Sequence, residues 1–430
     1  MKQWVLLVWV MALSGEATMA AQLRGVVRDE AGKPVAGATV YVAEVRPAKK
    51  ALGYESNFYP EWGKRVLSGA DGAFVVEEVG EGLEFDLIVA AAEHPALSVK
   101  DVRPGKKVTA KLAKWAENVT DQEHQWRGVV KDPEGKPAWG VEVSPQSYQL
   151  GFGYAFGAPP GMQERTVTNE KGEFVLSIEK PETGVSLRFT GRENAPLVTG
   201  FETRPAETAE YQLSSGSTVK GKLVHEGKPV AGAIVMASQE DRNSATFVGT
   251  RIVKADEQGE FEIQHLRTAE NYMVIAISQT LPEGTFTPTQ KFKTTEEALE
   301  LTDLEAVAGH TLAGKVVLSD GKKVPKGVKV TVHRENASDH RTADIAEDGS
   351  FKMIGMPNET VMVWVMMGGD YHLSVKNESL ERSNGMFLLG VVEEETVDLN
   401  ILMEPGPGER QQVDDWTKLR HEKLRGAPAE

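Results

Sequence analysis

The 430-residue chain contains no cysteine. That absence removes disulfides, thiolate nucleophiles, cysteine zinc sites and an acylated lipoprotein cysteine together. Basic residues are sparse and scattered: 48 Lys and Arg stand against 63 Asp and Glu, a net charge of −15. Such an acidic surface repels phosphate backbones, so nucleic acid is not expected as a partner. Long apolar runs are also missing. The stretch from Trp4 to Leu13 holds ten apolar residues, about half of what a membrane helix needs. It follows Lys2 and precedes Thr18-Met19-Ala20. This pattern reads as a secretory signal over residues 1–20, and no later segment reads as spanning a membrane. Export without cysteine points to a bacterial periplasmic, extracellular or envelope location.

What the chain does have is repetition. Glycines 25, 128, 221 and 314, spaced 103, 93 and 93 residues apart, each open a strand-like run, as in GVVRDEAGKPVAGATVYV and GKLVHEGKPVAGAIVM. A turn built on Gly-Lys follows, then a β-branched run, which together read as a β-hairpin. Further on in each copy comes a second signature: Asp71-Gly72-Ala73-Phe74, Lys171-Gly172-Glu173-Phe174, Gln258-Gly259-Glu260-Phe261 and Asp348-Gly349-Ser350-Phe351. The Gly turns the chain and the Phe opens a strand as a core anchor. Apolar strands follow at 85–91, 185–189, 272–277 and 361–367. Met362, Met366 and Met367 in the last of these read as core filling. Repetition at this period means one folding unit used several times.

The G-x-V…GKPVAGA-x-V opening and the D-G-x-F turn resemble the carboxypeptidase regulatory-like domain, a transthyretin-like Greek-key sandwich. The resemblance covers residues 23–404, most fully in copies one and three; copy two departs at Ala138-Trp139 and copy four at Lys323. It implies an all-β chain, a tandem array of four antiparallel seven-stranded sandwiches over 21–113, 125–213, 217–304 and 310–404, with a polar tail at 405–430. The departures imply diverged surface loops. In that family the domain is an accessory spacer or binding module whose motif residues are structural, so no catalytic residue comes with it.

The residues themselves offer little chemistry. The histidines show no HExxH spacing, and His333 and His340, with Glu335 and Asp339 between them, read as a polar loop and not a cation site. There is no calcium-loop ladder and no G-x-S-x-G. Neither metal nor cofactor is expected, and the chain reads as non-enzymatic. The connectors at 114–124 and 294–309 read as linkers that permit limited bending, with Thr294 and Glu297 able to cap a short helix.

One feature looks like a site. Between the two signatures, copy one places Tyr54, Phe58, Tyr59 and Trp62 within nine residues, and copy two places Tyr148, Phe152, Tyr154 and Phe156 within nine. Aromatic side chains on sandwich loops can stack on sugar faces or grip a peptide, so a glycan or an envelope protein is the expected partner. The alternative is that these rings fold back over the sandwich edge or pack copy one onto copy two. The same slot in copies three and four is polar, which places any binding in the N-terminal half.

Overall fold

The computed structural model describes residues 21–49, 56–116, 122–242, 245–334, 337, 339–365, 367, 371–374, 376–377, 380–383, 386–391 and 395–406. The signal-like segment 1–20, Tyr54, Glu335, Met366 and the tail beyond 406 lie outside the described residues. Among the described residues the protein is built of β-strands with a few short 3-10 turns, and no helix is long and apolar enough to cross a membrane.

The Gly-Lys turn does not form the hairpin that the sequence suggests. The Asp29 N–H donates to the Lys33 carbonyl, Gly32 takes φ 82°, and the Val35 N–H donates to the Val27 carbonyl, so a ladder begins. It stops at the bridge between Arg28 and Pro34. Proline has no N–H with which to extend the ladder, and Gly37, at φ 68°, swings the chain away. The strand Ala21–Asp29 therefore pairs with Ala73–Val79 and Lys107–Leu112, while Thr39–Pro47 joins a second sheet with Arg65–Leu67, Leu83–Ala91 and His94–Val102. What looks like a hairpin is an arch from one sheet to the other. The bridge between Lys131 and Pro137, followed by Gly140 at φ 74°, repeats the device in copy two.

Each pair of sheets closes on an apolar cluster. In the first, Leu23, Val27 and Phe74 of one sheet face Val40, Val42, Phe85 and Leu87 of the other. The second packs Trp126, Phe174 and Tyr211 against Val143, Leu187 and Phe189, the third is centred on Leu223, Val235 and Val274, and the fourth on Val316, Val330 and Ile401. Met353, Met356, Met367 and Met403 fill that fourth cluster. Within every sandwich the first strand pairs parallel with the last, as Ala21–Asp29 does with Lys107–Leu112; the other pairings are antiparallel.

The two sequence signatures prove to be halves of one contact. Gly25 lies opposite Phe74, Gly128 opposite Phe174, Gly221 opposite Phe261 and Gly314 opposite Phe351. A Cβ at Gly25 or Gly128 would sit 2.4 Å from a ring carbon, and at Gly314 it would sit 1.9 Å from the Leu399 carbonyl oxygen. The opening glycine is there because the ring or the neighbouring backbone occupies the space. Gly128→Ala is expected to cost about 1–3 kcal/mol by overpacking, read as a shift in denaturation midpoint. Gly153→Ala, whose Cβ would meet nothing closer than 4.0 Å, is the matched control and should stay within about 0.5 kcal/mol.

The sandwiches are not loosely strung. Tyr41, Ala43 and Ile88 of the first pack on Val167 of the second, and Trp139 donates from its ring to Thr39 while Arg65 lies 5.1 Å from its ring centre. The Ala138-Trp139 departure is thus a packing contact and not a diverged surface loop. Phe58 of the first sandwich and Ala337 of the fourth both pack on Ile234, Met236 and Ile275 of the third. The 294–309 connector holds no helix: Thr294 donates its hydroxyl to the Arg267 carbonyl at 2.6 Å, and the short strands Leu299–Glu300 and Leu304–Glu305 pair along Ser217–His225. Hydrogen bonding of this segment into the sheet removes the freedom expected of a linker.

Candidate functional site

The first three sandwiches meet around a cavity of about 520 Å³. The strand Thr39–Pro47 contributes Ala43 and Glu44, the turn Ser56–Phe58 contributes Ser56 and Asn57, and Glu142–Leu150 contributes Glu142, Ser144 and Gln146. Arg188 comes from Val185–Thr190 and Arg251 from Thr250–Lys254. All but the short turn are strands held by ladder hydrogen bonds on a neighbouring strand, so the wall is fixed by the sheets themselves.

Side-chain hydrogen bonds to backbone carbonyls hold the walls of neighbouring sandwiches together. The Asn57 side-chain amide donates to the Thr250 carbonyl at 2.7 Å, Gln146 donates to the Phe247 carbonyl at 2.7 Å, and Arg188 donates to the Val248 carbonyl at 2.9 Å. The segment 247–251 of the third sandwich is thereby gripped from both others.

Charge is concentrated at one corner. Arg165 donates to Glu44 Oε1 at 2.8 Å and stands 3.8 Å from Glu142 Oε1. Burial works against the Arg165 charge, but the Glu44 hydrogen bond and the two carboxylates hold its pKa above the usual arginine value. Burial pushes the Glu142 carboxyl up to about 7; the charges of Arg165 and Arg188 pull the other way without restoring it, and Glu44 adds to the rise. Tyr41, completely buried behind this corner, is raised too, first by burial and then by Glu142.

This arrangement sets a pH dependence. Below about pH 4.5, the usual value for Glu142, folded and unfolded chains both hold its proton; between there and about 7 only the folded chain does. The unfolded state binds fewer protons in that window, so the contribution to stability falls as pH rises through it and is fully lost above 7. The shift corresponds to roughly 3 kcal/mol. Glu142→Gln should flatten stability between pH 4.5 and 7 and raise it at pH 8 by about 2 kcal/mol, measured by denaturant titration. An unchanged slope would mean that Glu142 ionises freely in the fold.

The structure separates the eight aromatic residues singled out in the sequence. Trp62 is buried in the first core, with Tyr59 packed on the same cluster. Phe58 packs into the third sandwich and Tyr148 against the second core. Phe152, Tyr154 and Phe156 stand exposed on the hairpin formed by Glu142–Leu150 and Gly153–Phe156. Tyr154 meets Phe156 edge-on at 5.5 Å and approaches Phe201 at 6.1 Å. Trp62 and Phe156 nevertheless line the same cavity, Trp62 from inside and Phe156, 54% exposed, at its mouth.

The sequence matches no protein-family model and no curated protein. Solved structures give partial likenesses to pilins. A streptococcal ancillary pilin matches at 10% identity and TM-score 0.23, covering 66% of this chain and 99% of its own. The minor pilin of Streptococcus agalactiae matches at 12% and 0.23, covering 45% and 97%, and the major pilin subunit of Bacillus cereus at 12% and 0.18, covering 66% and 99%. Superpositions this partial carry no argument, and the all-β assignment rests on the sheets described above.

Arg165, Arg188, Arg251, Glu44 and Glu142 escaped the sequence reading, although a signal was present. Glu44 and Arg188 stand within strands rich in apolar residues, TVYVAEVRP and VSLRFT, where a charge has to find a partner. Elsewhere, the rings of His333 and His340 lie 5.2 Å apart across a strand pair, and Asp339 is used by Ser278, whose hydroxyl donates to it at 2.8 Å. Among the described residues no three side chains gather to hold a metal ion.

Proposed function

We propose that the chain is an exported, non-enzymatic scaffold of the bacterial cell envelope, made of four carboxypeptidase regulatory-like sandwiches at 21–113, 125–213, 217–304 and 310–404. The observation that carries this reading is the Gly–Phe contact: the residues repeated in all four copies are used up in folding. Buried contacts between sandwiches then make the array stiff. The direct test is cell fractionation with N-terminal sequencing of the mature protein. A chain starting at Ala21 in the envelope or medium supports the reading; an intact Met1 in the cytoplasm sinks it, as would turnover in a broad hydrolase screen.

A glycan-binding role for this scaffold is favoured by the exposed hairpin, where Phe152, Tyr154 and Phe156 present apolar faces to solvent. Aromatic rings held on a strand pair are suited to stacking on sugars at little entropic cost. Phe152→Ala with Tyr154→Ala should abolish retention on a bound polysaccharide without moving the melting transition. Trp62→Ala, by contrast, should destabilise the first sandwich, because Trp62 is 7% exposed within its core.

A further inference from the structure

We infer that the cavity between the first three sandwiches binds one acidic sugar residue, a uronic-acid-type ring bearing a carboxylate and several hydroxyls. The inference deepens the glycan reading and rests on it.

The wall combines three kinds of group. Arg165, Arg188 and Arg251 against Glu44 and Glu142 give the lining an excess of positive charge, which selects for a carboxylate. Glu44 and Glu142 favour a ligand rich in hydroxyl groups over a phosphate, which has few protons to donate. A sugar suits them, because its hydroxyls donate to carboxylates and accept from guanidinium groups. The volume, about 520 Å³, falls within the range of about 300–1,000 Å³ usual for small-ligand sites.

Two atoms in the wall are unused. Asn57 Oδ1 and Thr250 Oγ1 are buried and have no hydrogen-bond partner within the protein, and both residues line the cavity. The first can only accept and the second can donate. Placed on neighbouring residues joined by the Asn57-to-Thr250 bond, they match a hydroxyl group, which both donates and accepts. Leaving such groups buried and unpaired is unfavourable, so a ligand that satisfies them gains affinity.

The mouth fits the same reading. Phe156 lines the cavity while remaining exposed, and Tyr154 and Phe201 continue the aromatic surface outward. A glycan whose acidic residue occupies the cavity would lay its next ring over this hairpin.

The test is calorimetric titration of the mature full-length chain with D-galacturonate and digalacturonate, against galactose and citrate. Binding is expected for both acidic sugars, at least tenfold weaker for galactose and citrate. Thr250→Val removes an oxygen that no protein group uses, so it should weaken galacturonate at least tenfold with the melting temperature retained; Phe152→Ala, at the hairpin tip, should leave the monosaccharide unaffected. Equal binding of galactose or of citrate overturns the acidic-sugar assignment, as does full affinity in Thr250→Val. Polysaccharide retention that depends on the hairpin, without galacturonate binding, overturns the cavity proposal and leaves the glycan reading standing. Loss of both removes both.

Discussion

Arg334→Met is expected to destabilise the junction of the third and fourth sandwiches by about 3–5 kcal/mol, the cost of leaving a buried charge without its partner. Arg334 is 3% exposed. It donates to Glu359 through Nε at 3.1 Å and Nη2 at 2.7 Å, and to Thr289 of the third sandwich at 2.9 Å. Nη1 lies 3.7 Å from Asp339, itself 2% exposed, and the Phe286 ring is 6.0 Å away. Removing the guanidinium strands two carboxylates at once. Because Glu359 also accepts the Thr289 backbone N–H at 2.8 Å, the loss should reach both sandwiches, and the unfolding transition should broaden or split as they uncouple. Arg334→Met with Glu359→Gln should recover part of the loss. A single-variant cost below about 1 kcal/mol, the range of exposed ion pairs, would show that solvent reaches the site.

Phe174→Ala should cost the second sandwich about 3–5 kcal/mol, the usual penalty for emptying a buried aromatic position. Its ring is 3% exposed and packs edge-on to Phe189 at 5.8 Å and beside Tyr211 at 5.9 Å. Tyr211 in turn accepts a hydrogen bond from the Trp126 ring at 3.0 Å, so collapse into the cavity would disturb a polar contact. The opposing glycine supplies an internal check. With the ring gone, the Cβ of Gly128→Ala loses its two shortest contacts and keeps the one with Tyr211 at 2.9 Å, so the double variant should be more stable than the sum of the two single losses. Strict additivity would mean that glycine and ring do not share this space.

The repeat was legible in the sequence because its residues answer to local rules: a Gly that needs positive φ, a Phe two positions later, and β-branched residues on both sides. Its strands appear where the pattern places them. The arch was misread because two runs joined by a tight turn look like a hairpin unless the proline and the second glycine are read as a change of sheet. The cavity was invisible for another reason. Asn57 and Thr250 are 193 residues apart in sequence, and only the packing of whole sandwiches joins them. Aromatic crowding singled out two segments but could not distinguish Trp62, folded into a core, from Phe152, left in solvent.

The parallel pairing of first and last strands has a mechanical consequence. When the chain is pulled from its ends, such neighbours are drawn in opposite directions along their length, and the hydrogen bonds between them are loaded together in shear and not peeled one by one. The first sandwich joins its terminal strands over six paired positions, from Arg24 with Lys107 to Asp29 with Leu112, and the fourth also has six. The second has four in one stretch, and the third has four split between two short stretches. When tension is applied to the two ends of the chain, the third sandwich is therefore expected to give way first and the outer two last.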